Sequence, residues 1–155
     1  MTTMAGDLSS PPDRVMLDTN VLLAATDAKR RGYGEAMMIL NEWSVRGTSL
    51  CVSGQVLREY LAAATRPVES NGLGVPMPEA LANVSSFRDR ASLLPESGRV
   101  IDRLVNLLRD VKCAGKQIHD ANVVATMLAH NVHAVVTMNL KDFARFEPYV
   151  NLIGI

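Results

Sequence analysis

Aromatic residues are scarce in this chain, at 5% of 155 positions. Aliphatic side chains and Met must therefore fill the core, and with 48% hydrophobic residues there is material for one domain of ordinary size. Cysteine is nearly absent. Cys51 and Cys113 belong to no CxxC pair or Cys/His cluster, and His119, His130 and His133 are not spaced as a metal set, which argues against a structural zinc site. Two such cysteines fit a reducing compartment as small buried residues, so a cytoplasmic location is expected. No segment approaches the about 20 apolar residues of a membrane span, so no membrane partner is expected. The stretch Met1 to Pro12 has neither the basic n-region nor the apolar h-region of a signal peptide. Its Gly, Ser and Pro content reads as a disordered tail over residues 1–13, with the folded domain over 14–155. An excess of either charge is also missing. Sixteen basic and sixteen acidic residues cancel, which argues against coating nucleic acid by bulk charge but leaves room for a local basic rim. Twelve of the basic residues are Arg and four Lys. Arg suits bidentate phosphate contact, although compositional bias accounts for the excess more simply.

Strands and helices alternate along what remains. Arg14 to Asp18 reads as a strand buried on both faces, because its apolar run is continuous. A short helix is expected over Val21 to Thr26 and a longer one over Tyr33 to Arg46, stopped by Gly47. Ser49 to Val52 reads as a strand, and Ser53 as the N-cap of a helix running through Glu59 to Thr65. Residues 66–78, rich in Pro and Gly, have no periodic apolar face and read as a long mobile or functional loop. Helix over Glu79 to Arg90, a strand around Ser92 to Leu94 and a strong helix over Glu96 to Cys113 follow. The last carries Val100, Ile101, Leu104, Val105, Leu108 and Val111 on one stripe. A helix over Asp120 to His130, a strand over His133 to Met138, a short helix over Leu140 to Phe146 and a strand over Val150 to Ile155 complete the chain. This alternation implies an α/β fold, with a mainly parallel sheet and helices on both faces.

Four acids stand where such a fold gathers its ligands. Asp18 closes the first strand, and Asp142 lies just beyond Asn139 at the end of the strand centred on Val135. Asp120 opens the helix leading into that strand, and Glu59 sits among Leu57, Tyr60, Leu61 and Ala62. Ligands in open α/β sheets bind at the carboxyl ends of the strands. Each acid alone has a plain explanation, as an N-cap or as a helix-dipole partner. Together they repel, and a hard divalent cation resolves that conflict. Mg²⁺ or Mn²⁺ on Asp18, Asp120 and Asp142, with Glu59 as a further catalytic acid, would suit phosphodiester chemistry. Thr19, Asn20, Thr137 and Asn139, together with Ser53, are the neutral polar residues placed to orient ligands and water.

Val15-Met16-Leu17-Asp18-Thr19-Asn20, Arg58-Glu59-Tyr60, Ile118-His119-Asp120-Ala121 and the stretch Val136 to Phe143 resemble, in order, the four motifs of PIN-domain nucleases. The resemblance runs from Arg14 to the end. In size the chain resembles the toxins of VapBC toxin–antitoxin pairs. The resemblance implies a three-layer α/β/α fold with a parallel sheet and a Mg²⁺- or Mn²⁺-dependent endoribonuclease that hydrolyses RNA. It also implies a cognate antitoxin and a homodimer. The first three acids of the family carry over onto Asp18, Glu59 and Asp120. The fourth motif departs from the common form, with Asn139 at its first acidic place and the acid later, at Asp142, so either residue could complete the pocket.

Two rival readings stay open at this point: an RNA-processing nuclease that is no toxin, and an inactive PIN-like binding module. A phosphoacceptor receiver is disfavoured, because Asp18 stands alone on its strand and no Lys follows Thr137 directly. Lys29, Arg30, Arg31 and Arg66 are candidate RNA-phosphate contacts. His119, beside Asp120, reads more simply as a capping or packing residue than as a general base.

Overall fold

The computed structural model describes residues 10–155, so the expectation for Met1 to Ser9 lies outside the described residues. Five strands form one sheet: β1 (Arg14–Leu17), β2 (Ser49–Ser53), β3 (Ala91–Leu94), β4 (Ala134–Thr137) and β5 (Asn151–Gly154). Their order is β3-β2-β1-β4-β5 and every pairing is parallel. The expected mainly parallel sheet is thus wholly parallel. Val15, Met16 and Leu17 are fully buried in β1, and all of β4 is buried, as central strands covered on both faces must be.

Among the described residues, seven α-helices flank the sheet: α1 (Thr19–Thr26), α2 (Tyr33–Met38), α3 (Gly54–Thr65), α4 (Met77–Arg90), α5 (Gly98–Asp110), α6 (Gln117–Ala129) and α7 (Leu140–Phe143). α1 packs on α2 and α3, and α3 on α4; α5 packs on α6, and α6 on α7. Right-handed crossovers put α1 to α4 on one face and α5 to α7 on the other. The direction of winding reverses between β1 and β4. That is the switch point at which open α/β sheets leave a crevice beyond their carboxyl ends.

Several boundaries differ from the sequence reading, each for a local reason. α2 is short because Ile39–Trp43 continues it as a π turn, which brings Ile39, Leu40 and Trp43 all inward. α4 begins at Met77, since Pro78 falls in its first turn, where a missing N–H costs nothing. α6 begins at Gln117, so Asp120 lies within the first turn and not at the cap. The stripe of α5 is narrower than expected. Val100, Leu107 and Val111 are buried, whereas Ile101 and Val105 are 57% and 46% exposed.

Residues 66–78 were expected as a long mobile or functional loop, and up to Met77, where α4 begins, they form a loop with a 3-10 turn at Val68–Ser70. Its backbone folds back onto the end of α3: Leu73 N donates to Ala63 O, Gly74 N to Arg66 O and Val75 N to Ala64 O. These bonds satisfy carbonyls that the helix end leaves open. A Cβ on Gly72 would sit 1.9 Å from Arg66 O, so this return path requires glycine there.

Candidate metal centre

Asp18 follows β1 directly and caps α1, its Oδ1 accepting from Thr19 N at 2.8 Å. Its own N–H donates to Val136 O, which fixes the end of β1 against β4. Thr137, the last residue of β4, donates its hydroxyl to Asp18 Oδ2 at 2.8 Å. Asn20 joins the two strand ends: its Nδ2 donates to Thr137 Oγ1 and its Oδ1 accepts from Met138 N. Thus Thr19, Asn20 and Thr137 hold Asp18 at the switch point through hydrogen bonds.

Ser53 caps α3, its Oγ accepting from Val56 N at 3.2 Å. The helix then carries Glu59, half-buried, toward the same edge. Thr19 Oγ1 lies 3.2 Å from both Val56 O and Glu59 Oε2. Gln55 Nε2 donates to Glu59 Oε1 at 3.0 Å. Asp120 arrives from the start of α6, and Asp142 from the first turn of α7. Asn139 donates its side-chain amide to Asp142 Oδ2, and so orients the acid that follows it.

The four carboxylates feel one another. Burial raises the pKa of Asp18, and the Glu59 and Asp142 charges raise it further, while the Thr137 and Thr19 hydrogen bonds lower it. Asp120 is pushed from 3.8 up to about 6, first by burial and then by the charges of Asp18, Asp142 and Glu59. Arg145 offsets this as the smallest of the influences. Acids placed so that their charged forms oppose one another are expected where a cation is to be held.

A hard divalent cation fits this donor set. The carboxylates supply oxygen only, and their repulsion is the kind that a positive ion removes. Among the described residues, no three His, Cys, Asp or Glu side chains close into a ready-made cage. Mg²⁺ does not demand one, since it takes one or two carboxylates and completes its shell with water and substrate oxygens.

The remaining candidates separate. Arg31 lines a groove of about 450 Å³ with Met138, Asn139, Leu140, Lys141, Gly154 and Ile155, and Asn139 links it to Asp142. Lys29 N and Arg30 N bond to Asp27 in the loop before α2. Arg66 caps the far end of α3. Seven residues of helix, about 10 Å at about 1.5 Å each, part it from Glu59 on the same helix. The side chain of His119 is exposed, and its carbonyl accepts from Gln55 Nε2 at 2.9 Å.

The sequence reading missed Gln55, Asn122, Glu96 and Arg145. Gln55 stands four residues before Glu59, a spacing that puts both on one helix face and was a usable signal. Nothing local marked Asn122 or Glu96, because their bonds join α6 and the β3–α5 loop to α3.

The family profile described as PIN domain matches residues 15–147. The structure resembles those of several toxin–antitoxin proteins. VapBC2 from Rickettsia felis, bound to a DNA fragment from its promoter, aligns at 18% identity over 92% of this chain and 97% of that one, with a TM-score of 0.64. VapC20 from Mycobacterium tuberculosis, described as a sarcin–ricin-loop-cleaving toxin, aligns at 14% identity over 88% and 97%, with a TM-score of 0.65. DNA-bound VapBC from Salmonella typhimurium aligns at 22% identity over 90% and 96%, with a TM-score of 0.62. At such identities the likeness shows the fold. Among curated proteins no sequence match is found. Among the described residues, no helix is long and apolar enough to cross a membrane.

Proposed function

Since this chain belongs to the PIN-domain family, we propose that it is a divalent-metal-dependent endoribonuclease that hydrolyses RNA phosphodiester bonds, and the toxin of a two-component toxin–antitoxin pair. The observation that carries the nuclease reading is the gathering of Asp18, Glu59, Asp120 and Asp142 at the switch point, with the charged forms of Asp18 and Asp120 disfavoured until a cation arrives. The toxin reading is supported by likeness over nearly the whole length of VapBC chains and of FitAB bound to DNA. It brings with it a cognate antitoxin as protein partner and a homodimer as the working form.

Asp18 and Asp120 would hold Mg²⁺ or Mn²⁺, with Asp142 completing the set through an oxygen or a bridging water. The bound ion would polarise the phosphodiester and balance the negative charge of the pocket and of the substrate. The chain's own residues do the positioning. Thr137 and Thr19 N fix both oxygens of Asp18. Glu59, steadied by Thr19 and Gln55, keeps lone pairs free to bind the ion or to position the attacking water. Asn139 acts on Asp142 and not as an acid in its own right.

The test is incubation of purified, antitoxin-free protein with a total RNA pool, with Mg²⁺ or Mn²⁺, with chelator, and with Asp18→Asn. Discrete cuts that require metal and vanish in the variant support the reading. Folded wild-type protein that cuts no RNA in either metal overturns it and favours an inactive binding module.

A further inference from the structure

Gln55 is 5% exposed and every polar atom of its side chain is engaged. The two Nε2 protons go to Glu59 Oε1 at 3.0 Å and to His119 O at 2.9 Å. Oε1 accepts from Asn122 Nδ2 at 2.7 Å. The orientation of the amide is decided by these partners, because a carboxylate and a carbonyl only accept while the Asn122 amide nitrogen only donates. Asn122 Nδ2 also reaches Glu96 Oε2 at 3.3 Å, and Glu96 Oε1 accepts from Gln55 N at 3.3 Å, so the amide is held from both sides.

The two acceptors of Gln55 lie on different helices. Glu59 is one turn along α3, and His119 immediately precedes Asp120 on α6. A single buried side chain therefore ties the helix bearing Glu59 to the backbone bearing Asp120. We propose that Gln55 is a positioning residue of the metal centre, setting the rotation of the Glu59 carboxylate and its separation from Asp120. The inference rests on the reading of Glu59 as a member of that centre. A hydrogen bond to a carboxylate ligand fixes which oxygen lone pairs face the ion, and outer partners of this kind typically contribute about 10- to 100-fold in metal affinity.

The experiment is Mn²⁺ binding by the purified chain without RNA, followed by the electron-paramagnetic signal of free Mn²⁺. The wild type is compared with Gln55→Leu and Glu59→Gln, at a temperature where circular dichroism shows each folded. Gln55→Leu keeps the volume but makes none of the bonds, and is expected to bind Mn²⁺ about 10- to 100-fold more weakly. Wild-type affinity in Gln55→Leu beside weakened Glu59→Gln overturns the role of Gln55 and leaves the metal centre standing. Wild-type affinity in Glu59→Gln removes Glu59 from the centre, and the inference falls with it. If Gln55→Leu does not fold, the side-chain amide of Gln55 in the wild type decides. Slow proton exchange and a shift of its nuclear resonances on adding Mg²⁺ support the role, whereas exchange at the rate of a free amide overturns it.

Discussion

The Thr137 hydroxyl has one direction left for its proton, and that direction is Asp18. Asn139 N and Asn20 Nδ2 both donate to Thr137 Oγ1 and occupy its lone pairs. The proton then lies on the 2.8 Å line to Asp18 Oδ2. A neutral hydroxyl is thereby turned into an obligatory donor to a buried carboxylate, and this helps keep Asp18 ionised against its burial.

Thr137→Val keeps the shape of this fully buried residue. It leaves two N–H donors unpaired and takes one donor from Asp18. A loss of about 1–3 kcal/mol in urea denaturation is expected, with cleavage down about 10- to 100-fold. Thr137→Ser retains the hydroxyl and should stay near wild type in both. Equal activity in the Val and Ser variants would show that the hydroxyl does not matter.

Asp18→Asn removes a charge and not a volume. RNA cleavage should fall by about 100-fold or more, while circular dichroism shows the metal-free variant still folded. Wild-type turnover at saturating metal would show that Asp18 is no ligand.

Asp120 gives a pH dependence of definite sign. Its folded pKa, about 6, lies above the ordinary 3.8. The contribution of this group to stability is thus fully present below pH 3.8 and is lost as pH rises through about 6. Metal-free protein carrying Asp120→Asn should lose that component of the pH profile and be more stable at pH 7, on the order of 1–2 kcal/mol once solvent screening of this half-buried group is allowed for. The check is thermal melting of both proteins across this window in chelator. A wild-type profile parallel to that of Asp120→Asn would contradict the assignment.

The groove shared by Arg31 and Lys141 includes Asn139, which bonds to Asp142, so cations there should meet RNA phosphates beside the cut. Replacing both by Ala should weaken binding of a single-stranded RNA. It should also lower the slope of log affinity against log salt by about 0.7 per charge. Arg66→Ala, at the far end of α3, serves as the control and should change neither. Binding isotherms at several salt concentrations give the answer.

How much was legible beforehand follows from where each interaction lies along the chain. The strand at Val15 to Leu17 was readable because burial on both faces demands an unbroken apolar run. Ser53 was readable because capping is local. Residues 66–76 were legible as a loop from their Pro- and Gly-rich composition, but their hydrogen bonds back to α3 were not, because composition says nothing about where backbone donors find partners. Ile101 and Val105 were placed on a buried stripe by periodicity, but the width of the buried face depends on what packs there. That α6 starts before Asp120 was not legible, because Lys116 to His119 carry no capping signal.

By itself the sequence determined the kinds of element, their alternation and hence a parallel sheet, and the placing of Asp18, Asn139 and Asp142 beside the carboxyl ends of strands. These follow from near-neighbour rules: period, cap and the direction of the chain. Only the tertiary structure decided that the charge of Asp18 presses on Asp120, that Thr137 has its proton committed to Asp18, and that Gln55 spans two helices. Bonds such as those of Thr137 to Asp18 and of Asn122 to Gln55 join residues 119 and 67 positions apart. They exist only because strand order β3-β2-β1-β4-β5 sets β1 beside β4, and that juxtaposition is a property of the folded sheet and of no segment within it.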